Sequence, residues 1–409
     1  MSDKPVLIVG AGHAGVQAAA HLSEIGFKGG IVLVDQENEM PYERPPLSKE
    51  MLTESEPPPS LLRKKDYYED RNISLITGVH VSRLNRLEKE IELEGAPSIL
   101  YSKLVVATGS KPRQLNVPGG HLRGIHALKT LADSRAIKKA LCDARRVVVV
   151  GAGYIGLEVA AAAAEAGCEV TVLEAQNRVM SRVTSGVVSR YFEELHRSFG
   201  TLFEFEAGVI EFQGNGHVEH VLTTAGKVHA ADLVVVGIGV QPNQSVAEGA
   251  GIACADGILV DHHCRTSDPN VYAIGDVSRT ASLDLPEGIR LESVQSALAQ
   301  AMTAANHIAT GSETTPEVPW FWTIQHEVRL QTAGLWRADD EVVVRGRPES
   351  GRFSVLYLRN GRLVAIDTVG TLKDFMPAKR LIAAKVQIDR ALAADETVKL
   401  ATTCEMPAQ

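Results

Sequence analysis

The 409-residue chain contains five cysteines, Cys142, Cys168, Cys254, Cys264 and Cys404, and no two of them stand at a CxxC or CxxxxC spacing. This excludes a disulfide framework or a cysteine zinc site as the organising principle and predicts reduced structural thiols, with no metal. None lies between Met1 and Leu141. Positive charge is not in excess either. With 42 Lys and Arg against 50 Asp and Glu the net charge is −8, so nothing favours nucleic acid or an anionic membrane as partner. No apolar run approaches the length that spans a bilayer. The first strand-like run begins at Val6, which leaves no room for a signal or transit peptide, and a cytoplasmic location is expected. Aromatic residues are only 5%, yet two of the three tryptophans, Trp320 and Trp322, fall in the single stretch PWFW.

What is present is glycine in a repeated pattern. VLIVGAGHAG at Val6 to Gly15 returns as VVVVGAGYIG at Val147 to Gly156. In each, an apolar run ends in three glycines, Gly10, Gly12 and Gly15 in the first copy and Gly151, Gly153 and Gly156 in the second, and an alanine-rich stretch follows. That reads as strand, tight turn and helix. The first glycine permits the turn, the second lets backbone approach a pyrophosphate, and the third lets helix pack on strand. Each copy leads to another apolar run that stops on an acid, IVLVD at Asp35 and EVTVLE at Glu174, about where a ribose-binding carboxylate belongs. A single copy would say little; the pair predicts two dinucleotide sites.

In chain order, Val16 to Ile25 is the first helix, closed by Gly26. PYERPPLSKEML, Pro41 to Leu52, reads as a proline-stiffened loop carrying Arg44 and Lys49. A strand at Leu104 to Ala107 runs into Thr108 and Gly109, and a helix at Thr130 to Leu141 leads into the second glycine repeat. Strands are expected at Leu202 to Phe205, Glu219 to Thr223 and Leu233 to Val236, followed by the turn residues of GIGVQPN. VYAIGD ends a strand on Gly275 and Asp276, and Ser293 to Ile308 is helical. Beyond Pro319 short strands follow, with a hairpin at Asn360-Gly361 and a terminal helix at Lys373 to Lys385.

Nine segments in this order, VLIVGAGHAG, PYERPPLSK, VVATGS, VVVVGAGYIGLEVAA, VTVLEAQNRVMSRV, VVVGIGVQPN, VYAIGDV, RLESVQSA and PWFW, resemble the FAD-dependent, NADH-consuming ferredoxin reductases of bacterial oxygenase systems. These are glutathione-reductase-like flavoproteins, the putidaredoxin reductase and biphenyl dioxygenase reductase group. The resemblance implies an α/β fold with two Rossmann-like domains and a C-terminal α+β domain. Residues 1–113 and 244–318 would bind FAD, residues 114–243 would bind NADH, and 319–409 would cover the flavin. It places Gly10, Gly12, His13, Ala14, Gly15 and Asp35 on the FAD adenosine diphosphate, with His13 only accommodated there. Arg44 and Lys49 would lie against the flavin, Asp276 on the ribityl chain, and Ala107, Thr108, Gly109, Val294 and Trp320 around the same cofactor. Trp322 is expected to be packing. NADH would be held by Gly151, Gly153, Tyr154, Ile155, Gly156, Glu158 and Glu174 and by Gly237, Ile238 and Gly239, with Tyr154 as a possible gate to the nicotinamide. Relatives continue PWFW with Ser-Asp-Gln, whereas here Thr323, Ile324 and Gln325 follow, which puts a polar contact at position 324 in doubt.

The implied chemistry is hydride transfer from NADH to flavin, then single electrons to a two-iron [2Fe-2S] ferredoxin. Glu158, two residues after Gly156 in the first turn of its helix, suits the positive helix end. In the family it pairs with the lysine of PPLSK, here Lys49, near flavin N5, where a cation favours the anionic reduced flavin. Glu174 would favour NADH, because two like charges 4 Å apart repel by about 1 kcal/mol in water and roughly 4 at an effective dielectric near 20. Arg178 and Arg182 could soften this preference and are expected at the surface. The missing early cysteines exclude dithiol and cysteine-sulfenate chemistry. Arg63, Lys64, Lys65, Arg290, Arg329 and Arg337 are candidates for docking the ferredoxin to a monomer or weak homodimer. The alternatives are an NADH oxidase or quinone-type reductase, and a redox-sensing flavoprotein similar to apoptosis-inducing factor.

Overall fold

Val6–Val9 is apolar at every position, and so is Arg146–Val150 after its first residue. A strand without a polar face must be covered on both sides. The computed structural model describes residues 4–55, 57–281, 288–313 and 317–404. Its described residues fall into two compact units, one of residues 4–44, 58–111 and 240–313, the other of residues 45–57, 112–239 and 317–404.

In the first unit a parallel sheet runs in the order Val271–Ala273, Lys103–Val106, Val6–Val9, Ile31–Val34, Ile73–Ile76. Val6 and Ile8 join a core with Val16 and Leu22 of the His13–Glu24 helix and Ala301 and Ala304 of the Val294–Thr310 helix. Leu7 and Val9, one residue out of phase, join a second core with Leu84 and Ile91. Those two belong to an antiparallel sheet of Val81–Asn85, Glu90–Leu93 and Ala96–Leu100, which sequence reading passed over.

The second unit repeats the plan. Leu202–Phe205, Glu169–Glu174, Arg146–Val150, Leu233–Val236 and Ile125–His126 form a parallel sheet in that order. Val147 and Val149 face one core and Val148 and Val150 the other. In both sheets the strand before the glycines is central and its two neighbours lead away in opposite directions. That switch point is where open α/β sheets bind ligands. This unit also holds an antiparallel sheet ordered Trp320–Gln325, Val328–Gly334, Arg362–Val369, Arg352–Arg359, Glu341–Arg347. The Arg352–Arg359 and Arg362–Val369 strands turn at Asn360 (φ 51) and Gly361 (φ 76), the left-handed pair a two-residue hairpin requires.

Several expected boundaries shift. The first helix starts at His13, three residues early, because Gly12 adopts extended backbone as its N-cap. His13 is therefore in a helical turn. The helix expected over Lys373 to Lys385 is Phe375–Ala384, stopped by left-handed Lys385, and Arg390–Ala394 follows it. The Pro41 to Leu52 segment is largely helical: Pro45–Ser48 is a 3-10 turn and Glu50–Thr53 an α-helical turn. Leu52 anchors it in a core with Ile137 and Leu141, and the Ser134 hydroxyl donates to the Leu47 carbonyl at 2.7 Å.

Candidate functional site: two glycine loops and a buried ion pair

The two glycine loops coincide in detail. Gly10 and Gly151 have φ of 104° and 102°, and their N–H groups donate to the Val34 and Leu173 carbonyls, both at 2.7 Å. A Cβ on Gly10 would lie 2.2 Å from the Ala107 oxygen, and one on Gly151 2.5 Å from the Gly237 oxygen. A Cβ on Gly15 would lie 1.8 Å from the Gly10 oxygen, and one on Gly156 2.1 Å from the Gly151 oxygen. These glycines are demanded by the chain's own backbone. Gly12 and Gly153 differ: nothing stands within 4 Å of a Cβ on either, and no side chain caps either helix. Open space at an uncapped helix N-terminus suits a pyrophosphate, so the residues fit two dinucleotides.

The acids are tied to these loops. Asp35 Oδ2 accepts a short bond from Ala11 N–H and Oδ1 accepts from Glu37 N–H at 2.8 Å. Glu174 Oε2 accepts from Ala152 N–H at 2.7 Å and Oε1 from Gln176 N–H at 2.8 Å. Each carboxylate thus fixes its glycine loop and keeps lone pairs for a ribose hydroxyl. Burial pushes the Asp35 carboxyl above its ordinary range, against the pull of its two N–H donors.

Around the first loop, Ala107 N–H donates to the Val9 carbonyl at 2.8 Å, as Gly237 N–H does to Val150 at 2.7 Å. Thr108 and Gly109 are fastened by Asn243, a residue that the sequence alone marks only as part of a turn: its side-chain amide donates to the Thr108 carbonyl at 2.9 Å, while its backbone carbonyl accepts from the Thr108 hydroxyl at 2.8 Å. Gly275 stands close to Ala14, where a Cβ would meet that of Ala14 at 3.0 Å, so Asp276 is brought to the start of the first helix. Its carboxylate accepts from the Ser110 hydroxyl at 2.8 Å. Gln300, also missed, holds Gly275 N–H at 2.7 Å. Val294 opens the helix capped by Ser293. Arg44 pairs with Glu37 at 2.5 Å and lies over the Tyr42 ring.

Glu158 is placed differently from expectation. Its helix starts at Tyr154, so the residue falls in the second turn, beyond the strongest field of the helix end. Side chains hold it instead. Its side chain is only 2% exposed; Oε2 accepts from Lys49 Nζ at 2.7 Å and, in a shorter bond, from the Ser48 hydroxyl, while Oε1 accepts from the Thr323 hydroxyl at 2.6 Å. Ser48 and Thr323 were not foreseen, since nothing local marks them. Alternation along Trp320–Gln325 turns Phe321, Thr323 and Gln325 to this helix, and Phe321 packs on Tyr154 at 4.6 Å between ring centroids. Ile324 lies on the opposite face, so the departure at that position leaves the Glu158 contacts intact. Trp320 shares Ile324's face, with Phe375 5.7 Å and the Lys379 ammonium 5.4 Å from its ring centre. Trp322 is 5.9 Å from Trp320. Ile155 is exposed, Ile238 packs under the second sheet, and Gly239 (φ 94) approaches the Arg182 guanidinium.

The pyridine nucleotide-disulphide oxidoreductase model matches residues 4–305, and the reductase C-terminal model matches residues 320–404. The chain belongs to the pyridine nucleotide-disulphide oxidoreductase family. It is 42% identical over 390 residues to a ferredoxin–NAD(P)+ reductase of Sphingomonas sp., covering 94% of each chain. The structure of the ferredoxin reductase for the CYP199A2 system from Rhodopseudomonas palustris matches with TM-score 0.95 and 36% identity, over 99% of this chain and 100% of that one. Putidaredoxin reductase, in its covalent complex with putidaredoxin, matches with TM-score 0.94 and 37% identity over 98% of both.

This pyridine nucleotide-disulphide oxidoreductase uses FAD and NAD(P)H, yet all five of its cysteines are free. Cys264 is buried, which pushes its thiol up to about 12 and leaves it inert. Arg178, expected at the surface, is half-buried and donates to the Thr184 and Ser181 carbonyls and the Ser189 hydroxyl, so it is a brace for its loop. Arg182 is exposed, as expected. Of the docking candidates, Lys64, Lys65 and Arg329 are exposed, Arg63 and Arg337 half-buried, and Arg290 only 8% exposed and paired with Glu292 at 2.5 Å. No helix among the described residues is long and apolar enough to cross a membrane. The group of described residues that could hold a metal ion is His262, His263 and Glu313, whose ligand atoms lie within 4.8 Å of one another.

Asp367 is buried beneath the Thr184 and Tyr357 hydroxyls, which both donate to it, and burial raises its pKa from 3.8 to about 6. The unfolded chain loses this proton near 3.8 while the folded one holds it to about 6, so stability falls as pH rises across that window. Asp367→Asn should therefore gain stability relative to the parent between pH 4 and pH 7, by on the order of 2–3 kcal/mol. Melting curves at the two pH values check this; an equal offset at both would contradict it.

Proposed function

We propose that this chain is an NADH-dependent flavoprotein reductase that passes electrons from NADH through FAD, one at a time, to a [2Fe-2S] ferredoxin serving an oxygenase. The observation that carries it is the pair of matching glycine-acid loops in a chain whose cysteines are all unpaired. Two dinucleotides are held and no dithiol stands ready to relay electrons. Bound FAD supplies the conversion between a two-electron hydride donor and one-electron acceptors, with one proton released for each NADH consumed. One relative is named a ferredoxin–NAD(P)+ reductase and another a rhodocoxin reductase, and the covalent complex of putidaredoxin reductase with putidaredoxin supports a ferredoxin partner.

In this reading FAD is taken by residues 1–113 and 244–318, NADH by 114–243, and 319–409 forms the C-terminal domain. The closing of the first sheet by Val271–Ala273, far along the chain from Val6–Val9, supports the discontinuous FAD domain. The uncapped helices at Gly12 and Gly153 take the pyrophosphates, Asp35 and Glu174 take the riboses, and Asp276 takes the ribityl hydroxyls. Lys49, held by Glu158, would place a cation beside the flavin, where it favours negative charge, and Trp320 would line the cofactor. Unpaired cysteines suit the reducing cytoplasm. Anaerobic stopped-flow mixing of the NADH-reduced protein with candidate two-iron ferredoxins tests the reading. Rapid cluster reduction is expected, and no acceleration with any of them would remove it.

Glu174 sets the nucleotide preference, since Arg178 is occupied within its own loop and does not neutralise a 2′-phosphate. NADH should be preferred to NADPH in kcat/KM by roughly fivefold or more, from a repulsion of roughly 1–4 kcal/mol. Equal efficiency would contradict the role. The ferredoxin is acidic in this reading and meets exposed cations such as Lys64, Lys65 and Arg329. Its reduction rate should fall as ionic strength rises from 0.01 to 0.15 M, about the range over which the Debye length shrinks from 30 to 8 Å. A flat response would exclude electrostatic docking.

A further inference from the structure

Behind Glu158 lies a line of polar side chains that the reaction above does not use. The Thr323 hydroxyl donates to Glu158. Its oxygen in turn accepts from the Gln325 amide at 3.3 Å, leaving the Gln325 carbonyl 2.9 Å from His196 Nε2. On the far side of that ring, His196 Nδ1 is 3.2 Å from His326 Nε2. Thr323, Gln325 and His196 are buried, His196 with no exposed surface, and His326 is half-buried and stacked on the exposed Phe199 at 3.9 Å.

The direction of every bond follows from chemistry. A carboxylate paired with an ammonium only accepts, so Thr323 must donate to it and can accept only from the Gln325 NH2. Gln325 therefore presents its oxygen to His196, whose Nε2 must carry hydrogen. A neutral imidazole has one N–H, so Nδ1 holds a lone pair and accepts from His326 Nε2–H. Burial holds His196 down to about 4 and lowers His326, which keeps both rings neutral near pH 7.

The turn that carries His326 is a second observation. Trp320–Gln325 and Val328–Gly334 are joined by His326 (φ 45) and Glu327 (φ 65), with Gln325 opposite Val328. Such a two-residue turn strongly favours Asn-Gly, because its left-handed backbone disfavours residues with larger side chains. The hairpin itself requires left-handed backbone at both positions, and in this turn it carries the His326 ring to His196.

We propose that His326, His196, Gln325 and Thr323 form one line of hydrogen bonds with a single polarity, and that this line positions the Glu158 carboxylate, and through it Lys49, for hydride transfer. These are positioning residues, since each acts through the next. The proposal rests on the reading that Glu158 and Lys49 serve the flavin.

Three FAD-loaded variants and one spectrum test it. Thr323→Val, of the same shape without the hydroxyl, should slow NADH-driven flavin reduction about tenfold, as expected for a lost bond to a charged group. Thr323→Ser should restore most of the rate. Histidine-labelled 15N NMR of the parent should find His196 protonated at Nε2 alone at pH 7. A slow Glu158→Ala beside a fast Thr323→Val would overturn the line while sparing the role of Glu158. If Glu158→Ala is also fast, the flavin reading itself falls and positioning for hydride transfer falls with it; a proton on Nδ1 of His196 would then show that the line does not exist either.

Discussion

Lys49→Met should lower the unfolding free energy by about 3–5 kcal/mol, because it strands the Glu158 charge where almost no water reaches it. The Ser48 and Thr323 hydroxyls remain as donors, but hydroxyl dipoles do not replace a full charge 2.7 Å away. The double variant Lys49→Met with Glu158→Leu removes both charges and should recover most of that loss, since a buried pair is often no better than an apolar one of equal volume. Its flavin reduction should stay slow all the same. Recovery of stability without recovery of rate would separate what the pair does for the fold from what it does for the reaction. Denaturant unfolding at fixed FAD, together with stopped-flow reduction by NADH, measures both. A single Lys49 variant within about 1 kcal/mol of the parent would show that the charge is not stranded.

The second large effect distinguishes glycines of one motif. Gly156→Ala drives a methyl to 2.1 Å from the Gly151 oxygen, a backbone atom that cannot step aside, and should cost well over the 1–3 kcal/mol typical of overpacking. Gly153→Ala meets nothing within 4 Å and should melt with the parent. Its methyl instead occupies the space proposed for the pyrophosphate, so its KM for NADH should rise roughly tenfold or more, for a loss of about 1.4 kcal/mol. Melting temperature and NADH titration of the two variants side by side decide the matter. A Gly156→Ala protein as stable as the parent would mean that helix and strand can part without penalty.

Much of the fold was legible because it is written locally. A strand buried on both faces must be apolar at every position, and a tight turn into a helix must have glycine where backbone meets backbone. Val6–Val9 with Gly10, and Arg146–Val150 with Gly151, satisfy both demands. Asn360-Gly361 was legible for the same reason: its left-handed backbone is a property of two residues. The antiparallel strands from Val81 to Leu100 were not, because short, half-exposed strands are distinguished by the neighbours they pair with.

For Glu158 the sequence by itself determined the residue and, by family likeness, its lysine partner. Its local reading as a helix-end charge failed because Gly153 caps the helix and moves Glu158 to the second turn. Only the tertiary structure decided what surrounds it. Ser48 arrives from a 3-10 turn 110 residues earlier and Thr323 from a strand 165 residues later, with Gln325, His196 and His326 in line behind. No spacing encodes such a set. A buried carboxylate needs donors on all sides, and which segments of the chain supply them depends on packing, not on sequence neighbours.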